Sequence, residues 1–124
     1  YVFQDFALFP HISAEKNITY ALNKRFLQKD YATHELNLND HLLKMPHELS
    51  GGQQQRVAIL RAIAMLPNLL ILDEPFSNLD QNNSFKAQKI ISKFIKDSDI
   101  PCLLVTHDQS ELHELPVENE IIIS

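Results

Sequence analysis

Leu49-Ser50-Gly51-Gly52-Gln53-Gln54-Gln55-Arg56 is the stretch whose reading decides the fold. The adjacent glycines make a tight turn, and Ser50 stands where a side-chain oxygen caps the helix that follows. The exposed N–H groups of such a turn, at the positive end of a helix, form an anion site suited to a phosphate. Alone, Ser-Gly-Gly before a helix is an ordinary cap. Its weight here comes from the segments that follow in order: Leu69-Leu70-Ile71-Leu72-Asp73-Glu74-Pro75, then Ser77-Asn78-Leu79-Asp80, then Val105-Thr106-His107-Asp108.

Outward from the turn, the helix after Ser50 is expected to run to about Leu66. Only Arg61 is charged between Val57 and Leu66, so this helix is expected to be buried on most sides and Arg61 to need a partner. Leu69 to Asp73 is a short apolar run ended by acids, the pattern of a buried parallel strand. Asp80 caps a further helix with Ala87, Ile90, Ile91, Phe94 and Ile95 on one face and Lys86, Lys89, Lys93 and Lys96 toward solvent. Pro101 to Thr106 gives the next strand. Asp108 and Glu111 form a capping box for a short helix, and Glu120 to Ile123 is a last strand.

Upstream, Tyr1-Val2-Phe3 ends a strand that runs into a loop closing at Pro10. Ser13 offers a helix cap before Ile18, Ala21, Leu22 and Phe26 at helical spacing. Residues 27–46 predict one or two short helices with Leu36, Leu38, Leu42 and Leu43 inward and Pro46 as the close. The order from residue 69 onward is the α/β signature, with Asp73, Glu74 and His107 at the C-terminal ends of strands, where open parallel sheets bind ligands.

Composition bounds the function. The chain has 124 residues, 44% hydrophobic and 22% charged, as in a soluble globular protein of single-domain size. No apolar run approaches the roughly 20 residues that span a bilayer, so a transport role requires separate membrane subunits. A net charge of −5 gives no electrostatic case for nucleic acid. Cys102, alone in an apolar run, reads as a small buried hydrophobe in a reduced compartment. The six histidines show no metal-ligand spacing.

The four ordered segments closely resemble the ATP-binding cassette (ABC) ATPase domain, over nearly the whole chain. The resemblance implies a P-loop NTPase-like (RecA-like) α/β core beside a helical subdomain that carries the signature motif. On that pattern residues 11–66 form the helical part, and residues 1–10 and 67–124 form part of the core. The family's P-loop, G-x-x-x-x-G-K-[ST], cannot be written with Gly51 and Gly52, the only glycines. The chain begins at Tyr1 and stops after Ile121-Ile122-Ile123-Ser124. The expectation is therefore the C-terminal two-thirds of a cassette, with a sheet edge and apolar surface left uncovered and no ATP turnover by the piece alone.

Each motif then has an implied role. Side by side at a strand end, Asp73 and Glu74 are expected to point to opposite sides of the strand plane, which suits one carboxylate to Mg²⁺ and the other to an attacking water. By resemblance Asp73 is the Walker B ligand to Mg²⁺ and Glu74 the general base or water-positioning group. Gln4 matches the Q-loop, a neutral amide that senses the terminal phosphate and contacts water or Mg²⁺. His107 matches the switch histidine, whose imidazole N–H holds the γ-phosphate. Ser50, Gly51, Gly52 and Gln53 act in trans on ATP held by a second ABC ATPase subunit in a head-to-tail pair, with Asp80 of the D-loop at the same interface.

Pro46-His47-Glu48, Leu8-Phe9-Pro10-His11 and Asp108-Gln109 resemble importer cassettes serving metal ions, polyamines, sulphate or sugars. The implied protein is cytoplasmic, held at the inner face of the cell membrane by transmembrane permease subunits. The short interval from Gln4 to Ser50, without heptads, argues against the chromosome-maintenance branch. A cassette of non-catalytic kind, contributing only a signature half-site, is the alternative.

Overall fold

The computed structural model describes residues 8–20, 22–106 and 121–122. Its first helix, α1 (Ala14–Thr19), is capped by Ser13, whose hydroxyl accepts from the Lys16 N–H at 3.2 Å. The apolar spacing through Leu22 and Phe26 predicts a longer helix, but α1 stops early. Leu22 N–H turns back to Thr19 O, and Asn23 N–H is taken by Ala64 O at 2.9 Å. The Asn23 side chain then accepts from Arg25 N–H at 2.9 Å, an Asx turn that competes with helix. Phe26 reaches the core from this turn instead of from a helix face.

The second helix, α2 (Lys29–Glu35), ends before Asn37, which takes φ 58°. Leu36 and Leu38 are fully buried and Leu42 partly, as expected, but Leu43 is 85% exposed. The 3-10 turn Asn39–His41 and the Lys44 N–H to His41 O bond that follows it carry Leu43 outward. Pro46 does not close the segment. It opens a second 3-10 turn, Pro46–Glu48, at a first-turn position where its missing N–H costs nothing.

At the centre lies α3 (Gly51–Ala64), with α1, α2 and the later helix α4 (Gln81–Ser98) packed against it. It stops just short of Leu66, where the chain takes φ 47°. Gln55 to Leu60 and Ala62 to Ala64 are all buried, which accords with the scarcity of charge along the helix. Arg61 has its partners: Nη1 donates to Asn17 Oδ1 at 3.4 Å, and the guanidinium lies 5.4 Å from the centre of the Phe9 ring.

The strands β1 (Leu70–Asp73), β2 (Cys102–Val105) and β3 (Ile121–Ile122) form a parallel sheet in that order. Leu70 stands opposite Cys102 and Asp73 opposite Val105. The crossover from β1 to β2 is α4 (Gln81–Ser98), which buries Ala87, Ile90, Ile91 and Phe94 and leaves Ile95 half-covered. Lys89, Lys93 and Lys96 are exposed and Lys86 half-buried. One apolar cluster runs from Ala14 and Ile18 through α3 to Leu72, Ile91 and Leu104. The architecture is the expected partial α/β core with a helical segment before it. Tyr1 to Phe3 and the Asp108–Glu111 capping box lie outside the described residues.

Candidate functional site

The Gly-Gly turn is built as its sequence dictates. Ser50 Oγ accepts from Gln53 N–H at 3.1 Å, and Gln53 Oε1 accepts from Ser50 N–H at 3.0 Å, a complete capping box. The first-turn N–H groups of Gly51 and Gly52 have no carbonyl within the helix to bond, and the Ser50 hydroxyl still has its proton to donate. Three donors thus converge at the positive end of a 14-residue helix. That donor set fits a phosphate.

The glycines are not equivalent. A Cβ at Gly51 would meet nothing within 4 Å, whereas one at Gly52 would lie 3.0 Å from Asn78 O. Gly52 therefore lets α3 seat against the Ser77-Asn78-Leu79-Asp80 loop, while Gly51 leaves the outer face of the turn open. The first turns of α3 also hold the end of β1. Gln55, fully buried, directs Nε2 to the carbonyls of Glu74 and Pro75.

Asp73 is the last residue of β1 and half-buried; Glu74 is buried and has left the strand, with φ 48°. The strand-alternation argument for opposed side chains therefore does not reach Glu74. Its conformation is tied down on several sides. Glu74 N–H bonds to Val105 O at 2.8 Å, and its carbonyl accepts from Ser77 Oγ at 3.1 Å as well as from Gln55. Left-handed backbone at a non-glycine costs about 1–3 kcal/mol and persists where neighbours over-determine it, often at functional sites.

Asp80 caps α4. Its Oδ1 accepts from Asn83 N–H at 2.8 Å and its Oδ2 from Asn83 Nδ2 at 3.1 Å. Asn83 Oδ1 in turn accepts from Arg56 Nη1 at 3.2 Å, which also donates to Leu36 O at 2.7 Å, while Arg56 Nε donates to Gly52 O. Burial lowers the Arg56 pKa, and the charge of Asp80 works against that. This single guanidinium joins α2, α3 and α4 behind the Gly-Gly turn.

Ser50, Gly51, Gly52 and Gln53 thus form one cluster, with Asn78, Glu74 and Asp80 linked to it through Gly52, Gln55 and Arg56. Gln4 and His107 lie outside the described residues. Sequence reasoning missed Gln55 and Arg56, polar residues in phase with the buried positions Ile59 and Ile63; that phase was the available signal. For Mg²⁺ the donor chemistry fits through Asp73, since this ion takes hard oxygens from one or two carboxylates and otherwise from phosphate and water.

A family model described as "ABC transporter" matches residues 1–77, more than half of the chain. The chain belongs to the ABC transporter family. The "Fe(3+) ions import ATP-binding protein FbpC 2" of Pectobacterium atrosepticum is 45% identical over 116 residues, which is 90% of the chain and 34% of that protein. The "Spermidine/putrescine import ATP-binding protein PotA" of Treponema pallidum is 43% identical over 117 residues, 89% of the chain and 31% of that protein. The chain spans about a third of the length of these curated relatives. Among solved structures, a dimeric post-hydrolysis state of the ATP-binding cassette MJ0796 bound to ADP and Pi is 30% identical with a TM-score of 0.75. The match covers 90% of the chain and 53% of that one. The ABC-cassette neighbour agrees with the expected P-loop NTPase-like α/β fold, and the names of the curated relatives agree with the resemblance to importer cassettes. No helix among the described residues is long and apolar enough to cross a membrane.

Proposed function

We propose that the protein carrying this chain is the ATP-binding subunit of an ABC importer, coupling ATP binding and hydrolysis to solute uptake through transmembrane permease subunits. The observation that carries this reading is the capped Gly51-Gly52 turn, with its Ser50 hydroxyl and two N–H donors, seated by Gly52 against Asn78 and by Gln55 against the strand end Asp73-Glu74. On this reading Ser50, Gly51 and Gly52 donate to phosphate oxygens of ATP held by a second subunit, head to tail, and Gln53 locks the turn. Asp80, besides capping α4, lies at that interface. Asp73 and Gln4 would hold Mg²⁺, which when bound would neutralise phosphate charge. Glu74 accepts a proton from the attacking water or orients it, and His107 donates to the terminal phosphate. The complex sits on the cytoplasmic face of the membrane. The helical segment of residues 11–66 carries the signature, and residues 1–10 and 67–124 belong to the nucleotide-binding core.

The head-to-tail arrangement is tested by sedimentation of the product of the longest reading frame that contains these 124 residues, with Glu74→Gln to stop turnover. ATP with Mg²⁺ is expected to double its mass, and adding Ser50→Arg to keep it monomeric. A monomer at saturating ATP, or a dimer indifferent to Ser50, would count against the reading.

A further inference from the structure

Beside the signature turn stands a histidine that none of these roles uses. His41 ends the 3-10 turn Asn39–His41, with its N–H bonded to Leu38 O at 2.9 Å. Its ring is half-buried, and Nδ1 is closed off from solvent with no partner among the described residues. Its Nε2 lies 3.3 Å from Gln53 Nε2. Which atom of Gln53 faces His41 is settled at the other end of the amide: Oε1 is occupied by the Ser50 N–H, so the NH₂ group faces the ring. Two donors do not bond each other. His41 Nε2 must therefore offer its lone pair, and the ring proton resides on Nδ1, an assignment made from the network.

We propose that His41 is a positioning residue for the signature turn: by accepting from the Gln53 amide, it keeps Gln53 Oε1 on the Ser50 N–H. A Gln53 side chain free to swing would leave the Ser50 N–H bare and undo the side-chain half of the capping box, and the phosphate-facing backbone of the turn would lose that brace. The imidazole comes from a fixed platform. Lys44 N–H bonds to His41 O at 3.1 Å, and the same loop accepts from the start of α1 through Lys44 O to Ala14 N–H and Leu42 O to Glu15 N–H, both 2.8 Å. The relay thus runs from α1 through the 42–44 loop and His41 to Gln53 and Ser50. It rests on the reading of Ser50-Gly51-Gly52 as a phosphate site, whereas the His41–Gln53 contact stands without it.

Two measurements on the product of the longest reading frame test it. A long-range ¹H–¹⁵N spectrum, with the His41 signals identified by their loss in His41→Gln, is expected to show a proton on Nδ1 and a bare Nε2. In ATP turnover, His41→Leu is expected to lower kcat about three- to tenfold, the worth of one hydrogen bond, and to leave KM within about twofold. His41→Gln, whose Oε1 falls where the imidazole Nε2 lies, should restore kcat to within about twofold of wild type, and in a Gln53→Met background His41→Leu should have almost no further effect. A proton on Nε2, or a His41→Leu loss of equal size with and without Gln53, would overturn the proposal. A wild-type protein that turns over no ATP would overturn the ATPase reading instead, and the tautomer alone would then decide the His41–Gln53 contact.

Discussion

Gly51 and Gly52 are neighbours with opposite demands on their missing side chains. At Gly52 an added methyl would press on Asn78 O at 3.0 Å, and a backbone carbonyl gives way less readily than the end of a flexible side chain. Gly52→Ala is expected to destabilise by about 1–2 kcal/mol in a urea titration, overpacking outweighing the gain in helix propensity. Gly51→Ala should hold or raise stability, by up to about 1 kcal/mol, since its methyl enters open space. On the proposed function that open space is where a phosphate docks, so Gly51→Ala should lose turnover while keeping its melting temperature. Cys102, expected to be a buried small hydrophobe, is partly buried and packs against the apolar core. Burial pushes its thiol from 9.0 up to about 11. The folded thiol therefore keeps its proton where the unfolded one loses it, so the stability contributed here is whole below pH 9.0 and is lost as pH rises toward about 11. Cys102→Ala should flatten that alkaline decline, and the native thiol should resist alkylation at pH 8 until urea unfolds the chain.

The elements that the sequence made plain are those whose ends carry their own chemistry. Ser50 with Gln53 starts α3 and Asp80 starts α4, each by a side-chain oxygen that accepts a first-turn N–H. The end of α4 illustrates a cost that local sequence conceals. Asp99 takes φ 58° so that its N–H can reach Ile95 O at 3.0 Å. Asp99→Gly should stabilise the chain by about 0.5–1 kcal/mol, read as a higher denaturant midpoint at unchanged slope, because glycine takes the left-handed cap without strain. Where prediction failed, a distant partner had overruled local pattern. The apolar spacing through Leu22 and Phe26 read as helix until Asn23 bonded to Ala64, and Leu43 read as core until the 3-10 turn at His41 swung it outward. Glu74 is the sharpest case. A residue before proline leans toward extended backbone, yet Val105, Ser77 and Gln55 together hold it left-handed.

At the scale of the whole molecule, the parallel order β1-β2-β3 and the α4 crossover place Asp73 and Glu74 at the C-terminal edge of the sheet. The sequence foretold this from an apolar run ended by acids. It did not foretell how the signature helix reaches that edge. Gln55 and Arg56 are buried polar residues whose partners, at Glu74, Pro75, Leu36 and Asn83, are 19 to 27 positions away and become neighbours only once α2, α3 and α4 have packed. On the proposed function, the same packing would let a turn that meets the phosphate of a second subunit be held rigidly against the strand end of its own. The most direct test of the account is ATP turnover with Mg²⁺ by the product of the longest reading frame containing this chain, beside its Glu74→Gln variant. The account predicts turnover in the first and a loss of at least about tenfold, and up to the 10²–10⁴ range of a general base, in the second. Equal turnover in both would remove Glu74 from the mechanism, and no turnover or ATP binding in either would mean a non-catalytic cassette that contributes only its signature half-site.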